Sequence, residues 1–234
     1  MKRLFVAHPE APLSAEQLHY LRGVLRLPDG EAIEIFDGRG SAWRAKLTGD
    51  SLTVGEKLPA VARALDVVLV QALAKGEKME LVVQKAAELG AARIVPLLSE
   101  RATVKLDAGR GAAKAQRWRR IAQEAARQCG RADVPQVDEP AQWDAILALL
   151  RDDPQRRGLL LDPEERTLRL GAAARGAEKL LLAVGPEGGF SPQERSRALQ
   201  AGLLPVALGQ LVLRTETAGL AALAVVLHVH GQLG

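Results

Sequence analysis

Gly185-Pro186-Glu187-Gly188-Gly189-Phe190 is the segment whose residue types point most directly to chemistry. Three glycines and a proline make a tight turn whose backbone a ligand can approach closely, and Glu187 sets a carboxylate within it. The turn follows an apolar run that ends at Val184. Ser191-Pro192-Gln193-Glu194 then reads as a helix start, with Ser191 as the cap, Pro192 in the first position and Glu194 completing a capping box. Two glycines would mark only a connector. Three around a carboxylate, at the C-terminal end of a strand, favour a ligand loop. No Gly-Lys-Ser/Thr follows, so this is not a phosphate loop, and the glycine spacing is not that of the dinucleotide fingerprint.

A second loop runs from Leu208 through Gly209, Gln210, Leu211, Val212 and Leu213 to Arg214-Thr215-Glu216-Thr217-Ala218, where an apolar helix begins. Thr215 is the expected cap. Glu216 could serve only to complement the helix dipole, and Arg214 only to pair with a carboxylate. Placed beside a glycine loop, the two charges become candidates for chemistry. The third feature is basic. Residues 101–131 hold nine Lys or Arg against Asp107 and Glu124, a local +7 in a chain whose total is +4. On a helical wheel Trp118, Ile121, Ala122, Ala125 and Cys129 share one side, with Lys114, Arg117, Arg120 and Arg127 on the adjoining arc. That pattern buries the apolar side, Cys129 included as a small core residue, and turns the basic side toward an anionic polymer. His228 and His230 lack further ligands for a metal.

These loops need a scaffold. Residues 1–65 read as a small β-rich module, nearly neutral, with a hairpin-type turn at Asp37-Gly38 and one helix over 15–25 capped by Ser14. From Asp66 apolar runs alternate with helical patterns. Strands are expected at 67–73, 94–98, 158–161, 180–184 and 206–208. Helices are expected at 78–89, 112–128, 141–150, 192–201 and 215–230. Such alternation implies a mostly parallel sheet with helices on both faces and ligands beyond the carboxyl ends of the strands. The division is therefore 1–65 and 66–234.

Composition narrows the classes. The 234 residues are 47% hydrophobic and 26% charged, too apolar for a disordered chain. A single Cys excludes a disulfide framework and the multi-Cys zinc motifs. The run Leu4–Ala7 is too short for a signal-peptide core, and Ala218–Leu227 is about half a bilayer span, so a soluble cytoplasmic protein is expected.

Several segments together resemble the RsmE family, methyltransferases of the knotted SPOUT superfamily that modify N3 of a uridine in 16S ribosomal RNA. They are His19 to Leu27, Phe36-Asp37-Gly38, Lys75 to Glu80, Gln84-Lys85-Ala86, Glu88-Leu89-Gly90, Pro96-Leu97, Ser99-Glu100-Arg101, Val104-Lys105, Arg117-Trp118, Glu124-Ala125, Gln128 to Arg131, Gly185 to Phe190 and Leu213 to Ala218. The resemblance implies an α/β fold: an N-terminal PUA-like β-barrel and a C-terminal α/β domain with a trefoil knot. It implies S-adenosylmethionine as methyl donor, 16S ribosomal RNA or the small subunit as partner, a homodimer, and no metal or membrane. It assigns the cofactor to Gly185, Pro186, Glu187, Gly188, Gly189, Leu208, Gly209, Leu213, Thr215 and Ala218. It leaves Arg214 and Glu216 to orient the base or accept its proton. RNA is expected on Arg22, Arg26, Lys78, Arg101, Lys105, Arg117, Arg120, Arg127 and Arg131. The alternatives are a related knotted enzyme acting on transfer RNA or another nucleoside, and a non-catalytic RNA-binding or ribosome-assembly protein.

Overall fold

Polar–apolar alternation and one carboxylate turn organise the N-terminal unit. The structure is a computed structural model that describes residues 2–59, 65–102, 104 and 108–234. Strands β1 (Arg3–Phe5), β2 (Ala32–Phe36), β3 (Ala42–Thr48) and β4 (Ser51–Lys57) form a sheet in that order, with β1 parallel to β2 and the rest antiparallel. Along β3, Ala42, Ala45 and Leu47 are buried while Arg44, Lys46 and Thr48 are exposed. Between β2 and β3, one oxygen of Asp37 accepts from the backbone N–H of Arg39 at 2.8 Å and of Ser41 at 3.0 Å, which closes the expected turn. Helix α1 (Ala15–His19) starts at Ser14 in a capping box with Gln17. The single helix expected over 15–25 stops early, because the chain widens into a π turn over Tyr20–Val24 and Arg26 takes φ 53°. Leu27 then donates to the Leu21 carbonyl, and both side chains enter the core with Ile33, Ile35 and Leu47.

The second unit is a six-stranded, all-parallel sheet. Its strands are β5 (Asp66–Ala72), β6 (Arg93–Leu97), β7 (Gln136–Val137), β8 (Arg157–Leu161), β9 (Lys179–Val184) and β10 (Leu204–Val206), ordered β10-β8-β9-β5-β6-β7. The helices are α2 (Lys78–Glu88), α3 (Ala108–Cys129), α4 (Trp143–Arg151), α5 (Leu170–Ala174), α6 (Pro192–Gln200) and α7 (Thr215–Val229). Side-chain alternation assigns the faces. Val68, Val70, Leu181 and Ala183 pack with Trp143 and Ile146 of α4 and Ala198 of α6. Gln71, from the other face of β5, meets Thr215 of α7. With every strand parallel, the loops after β8, β9 and β10 gather at one end of the sheet.

Two expectations need correction. The strand expected at 206–208 lies at Leu204–Val206, and β7 and α5 were not anticipated, since two and five residues carry too little periodicity. Cys129 is exposed rather than core, because α3 ends there at Gly130, whose φ of 89° turns the chain away. The N-terminal compact unit also draws in the end of α3. One unit takes in Met1–Ala62 and Gln123–Val134, the other Arg63–Ala122 and Pro135–Gly234. Arg3 gives the physical reason: its guanidinium donates to the carbonyls of Ala126, Arg127 and Arg131 at 3.0–3.3 Å while paired with Glu34 at 2.7 Å. A cation thus satisfies the orphan carbonyls at the end of α3.

Candidate active site

A cavity of about 810 Å³ opens at the carboxyl ends of β8, β9 and β10. All ten residues assigned to a cofactor line it: Gly185, Pro186, Glu187, Gly188, Gly189, Leu208, Gly209, Leu213, Thr215 and Ala218. Arg101, Asp162 and Phe190 complete part of the wall. A second cavity, of about 580 Å³, lies by Asp66, Arg93 and Arg156. Its charges are already matched, Arg156 to Asp66 at 2.7 Å and Arg93 to Asp138 at 2.6 Å.

The glycine loop is held from several directions. Gly189 adopts φ 67° and its N–H closes the turn on the Pro186 carbonyl at 2.9 Å. A Cβ on Gly185 would sit 3.3 Å from the Phe190 ring, which packs edge-on against Trp143. The expected capping box of Ser191 and Glu194 forms. The buried Glu194 carboxylate does more than cap. It also accepts from Trp143 Nε1 at 2.9 Å, Ser99 Oγ at 3.1 Å and the Glu100 N–H at 3.0 Å. Arg101 continues that segment and donates to the Gly188 and Phe190 carbonyls at 3.1 and 3.4 Å. The residues after β6 therefore fix the loop after β9. Trp143 and Ser99 carried no sequence signal for this role, because only folding brings them to Glu194.

Thr215 is not the cap of α7. Arg214 occupies that position without a side-chain cap bond, and Thr215 is the first helical residue. Its buried hydroxyl donates to the Gly185 carbonyl at 2.6 Å and accepts from Gln71 Nε2 at 2.8 Å. Through this one oxygen the second loop, the glycine loop and β5 are joined.

The two charged candidates stand next to the cavity rather than in its lining. Glu216 is mostly buried, its side chain 12% exposed, and Lys78 approaches its two oxygens at 3.1 and 3.3 Å. Lys78 also reaches Glu187 at 3.6 Å. Burial pushes the Glu216 carboxyl upward, but its own backbone N–H at the helix start, Lys78 and Arg214 outweigh that and hold it below the usual carboxylate value. The Arg214 side chain is exposed and makes no hydrogen bond or ion pair among the described residues, while its carbonyl accepts from the Ala218 N–H at 2.8 Å.

The residues expected to bind RNA are distributed unevenly. Lys78 and Arg101 are engaged at the site. Arg22 donates to the carbonyls of Leu27 and Gly49 and pairs with Asp29. Arg117 pairs with Glu80 at 2.8 Å, Arg127 with Glu124 and the Tyr20 hydroxyl, and Arg131 with Asp133. Lys105 lies outside the described residues. Arg26, Lys114 and Arg120 are exposed and carry their charge to solvent. His228 and His230 face backbone carbonyls, those of Leu233, Val226 and Ala177.

Residues 62–227 match a family model described as an RNA methyltransferase domain, and residues 13–57 match an RNA methyltransferase PUA domain. A Synechocystis protein named ribosomal RNA small subunit methyltransferase E is 36% identical over 219 residues, covering 91% of this chain and 71% of the relative. The Mycobacterium tuberculosis protein of the same name is 32% identical over 230 residues, covering 86% and 88%. Among solved structures, the Neisseria gonorrhoeae methyltransferase E bound to S-adenosyl methionine superposes with a TM-score of 0.84 at 31% identity, covering 97% of each chain. A Legionella pneumophila structure in complex with the bound cofactor SAM gives 0.85 at 34% identity, covering 97% and 96%.

Proposed function

This chain belongs to the ribosomal RNA small subunit methyltransferase E family, and on that premise we propose that it methylates N3 of a specific uridine in 16S ribosomal RNA, acting on the assembled small subunit. It is a methyltransferase of ribosomal RNA that uses S-adenosylmethionine. The observation that carries the reading is the shared wall: one cavity bounded by the glycine loop and by the Leu208–Ala218 loop.

The cavity suits this cofactor. Leu208, Leu213 and Phe190 offer apolar surface for an adenine, and Glu187 offers a carboxylate to the cationic sulfonium or amine, while Asp162 is spent on Arg195 at 2.7 Å. Nothing lies within 4 Å of where a Cβ on Gly209 would point, so a ligand can approach that backbone. When bound, the cofactor supplies a methyl carbon that already carries its leaving group. The chain's own residues then have to align a nitrogen with it, and alignment alone supplies several kcal/mol. Glu216, held ionised, accepts the hydrogen bond of the uracil N3–H, orients the ring and takes that proton as the N3–methyl bond forms and the carbon–sulfur bond breaks. Arg214, free and exposed, meets the negative charge that spreads to the uracil oxygens as that proton leaves.

In the same reading, residues 1–65 serve as the RNA-binding domain and 66–234 as the methyltransferase domain, with a trefoil knot in the latter. Arg26, Lys114 and Arg120 contact phosphate. The active form is a homodimer, supported by Leu211 and Val212, each 81% exposed. No described helix is long and apolar enough to cross a membrane, and a ribosomal RNA substrate supports a cytoplasmic site of action.

Two measurements test the reading. S-adenosylmethionine at a hundred times its dissociation constant should stabilise the fold by about 2.7 kcal/mol, roughly a 5–11 °C rise in Tm. Methylation of small subunits and of deproteinised RNA, followed by mapping of the modified base, should place the methyl on N3 of one 16S uridine. A different nucleoside or a transfer RNA target overturns the substrate assignment, and absence of both binding and methylation leaves a non-catalytic RNA-binding protein.

A further inference from the structure

Lys78 is the first residue of α2, directly beyond the loop that follows β5. The sequence reading places it among residues for RNA, yet in the fold its side chain, half-buried, turns to two carboxylates. Its ammonium stands 3.1 and 3.3 Å from the two oxygens of Glu216 and 3.6 Å from Glu187. Three chain segments far apart in sequence therefore meet at one charge: α2, the glycine loop and the first turn of α7. The two contacts are unequal. Glu216 is mostly buried, whereas Glu187 is 41% exposed and further away. Lys78 does not line the cavity.

We propose that Lys78 is a positioning residue for the methyl transfer assigned above: its ammonium fixes the orientation and the negative charge of Glu216 and ties that carboxylate to Glu187 of the cofactor loop. The inference rests on the proposed function for its catalytic consequence and on geometry alone for the tie. An ammonium close to both carboxylate oxygens restricts the side chain to one orientation. It also opposes protonation, which burial in the first turn of α7 would otherwise favour. The other charge facing Glu216 is Arg214, immediately before α7. Glu80, the next acidic residue on α2, is occupied by Arg117, and the remaining neighbours Thr215 and Gln71 are neutral. Because Lys78 lies outside the cavity lining, its loss should affect turnover more than cofactor affinity.

The test compares Lys78→Met and Lys78→Arg with the parent chain by two readouts. The first follows the Glu216 side-chain carboxyl by 13C NMR as pH is varied, and needs neither RNA nor cofactor. In Lys78→Met its midpoint should rise, while Lys78→Arg should stay close to the parent. The second measures turnover on small subunits. Lys78→Met should lower kcat by about tenfold or more, leave KM for S-adenosylmethionine within about threefold, and move the acidic limb of the kcat–pH profile to higher pH. Lys78→Arg should recover most of kcat and restore the limb. An unmoved Glu216 midpoint overturns the proposal. So does a moved midpoint with kcat and the acidic limb unchanged, or a kcat loss that Lys78→Arg does not relieve. If Lys78→Met does not fold, Lys78→Gln, which keeps a donor without the charge, is held to the same criteria. A parent chain that fails to methylate RNA overturns the functional reading instead, and the NMR readout then decides the tie by itself.

Discussion

Thr215 joins two structural partners through one hydroxyl. It donates to Gly185 and accepts from Gln71, and both Thr215 and Gln71 are buried. Thr215→Val keeps the shape and removes both bonds, leaving the Gln71 amide only its long contacts to the Ala72 and Thr215 carbonyls at 3.4 and 3.5 Å, a loss of about 1–3 kcal/mol. The expected result is a lower Tm and weaker S-adenosylmethionine binding by calorimetry, with Thr215→Ser close to the parent. Glu216 and Arg214 should behave differently. Glu216→Gln and Arg214→Ala should reduce turnover while cofactor affinity holds, and variants turning over at the parent rate would remove both from the chemistry. Glu216 also links stability to pH. Its carboxyl is held below the ordinary value in the folded state, so its contribution is complete above the unfolded-state value and disappears as pH falls through the folded one. Melting curves of the parent and Glu216→Gln should therefore differ at neutral pH and converge in acid.

At the level of elements, close approach is what the helices demand. Gly219 lies inside α7, where alanine ordinarily gains about 0.5–1 kcal/mol. Here a Cβ would stand 2.5 Å from Gln71 Oε1, and Gln71 cannot retreat without abandoning Thr215. Overpacking should win, so Gly219→Ala should cost about 1–3 kcal/mol in denaturant unfolding. Adding Gln71→Ala should return part of that loss, and strict additivity of the two would contradict the contact. Arg3 is the second case. It is buried, paired with Glu34, stacked on Phe36 and bonded to three carbonyls at the end of α3. Arg3→Met strands Glu34 and those carbonyls, and a broken buried pair costs about 3–5 kcal/mol. A Tm lowered by less than a few degrees would show that the guanidinium is dispensable.

For the whole molecule, the basic segment is less available than its composition suggests. Nine cations lie between 101 and 131, but Arg101 braces the glycine loop and Arg117, Arg127 and Arg131 have acidic partners. Binding to RNA should depend on Lys114 and Arg120 more than on Arg117. The affinity should fall with salt by roughly 0.7–0.9 log units per decade of salt for each phosphate neutralised. Reversing Lys114 and Arg120 together should flatten that slope, while an unchanged slope would remove this part of α3 from the interface.

Local chemistry was legible wherever a residue acts on its own neighbours in the chain. The capping box at Ser191 and Glu194, the turn at Asp37 and the apolar strands of the parallel sheet all follow from spacing, because their partners lie within a few residues or within one repeat. Ten residues of the cavity wall were also legible, since two short segments carry them. What required the tertiary structure is whatever depends on a partner distant in the chain. Thr215 resembles a cap in sequence but spends its hydroxyl on Gly185 and Gln71. Lys78 and Arg101 look like surface cations but face carboxylates and carbonyls of other loops. Cys129 belongs to an apolar stripe that the end of α3 leaves uncovered. A sequence states which groups can donate, accept or carry charge. Which of them are spent on one another is decided by distance, and distance exists only after the strands have brought their ends together.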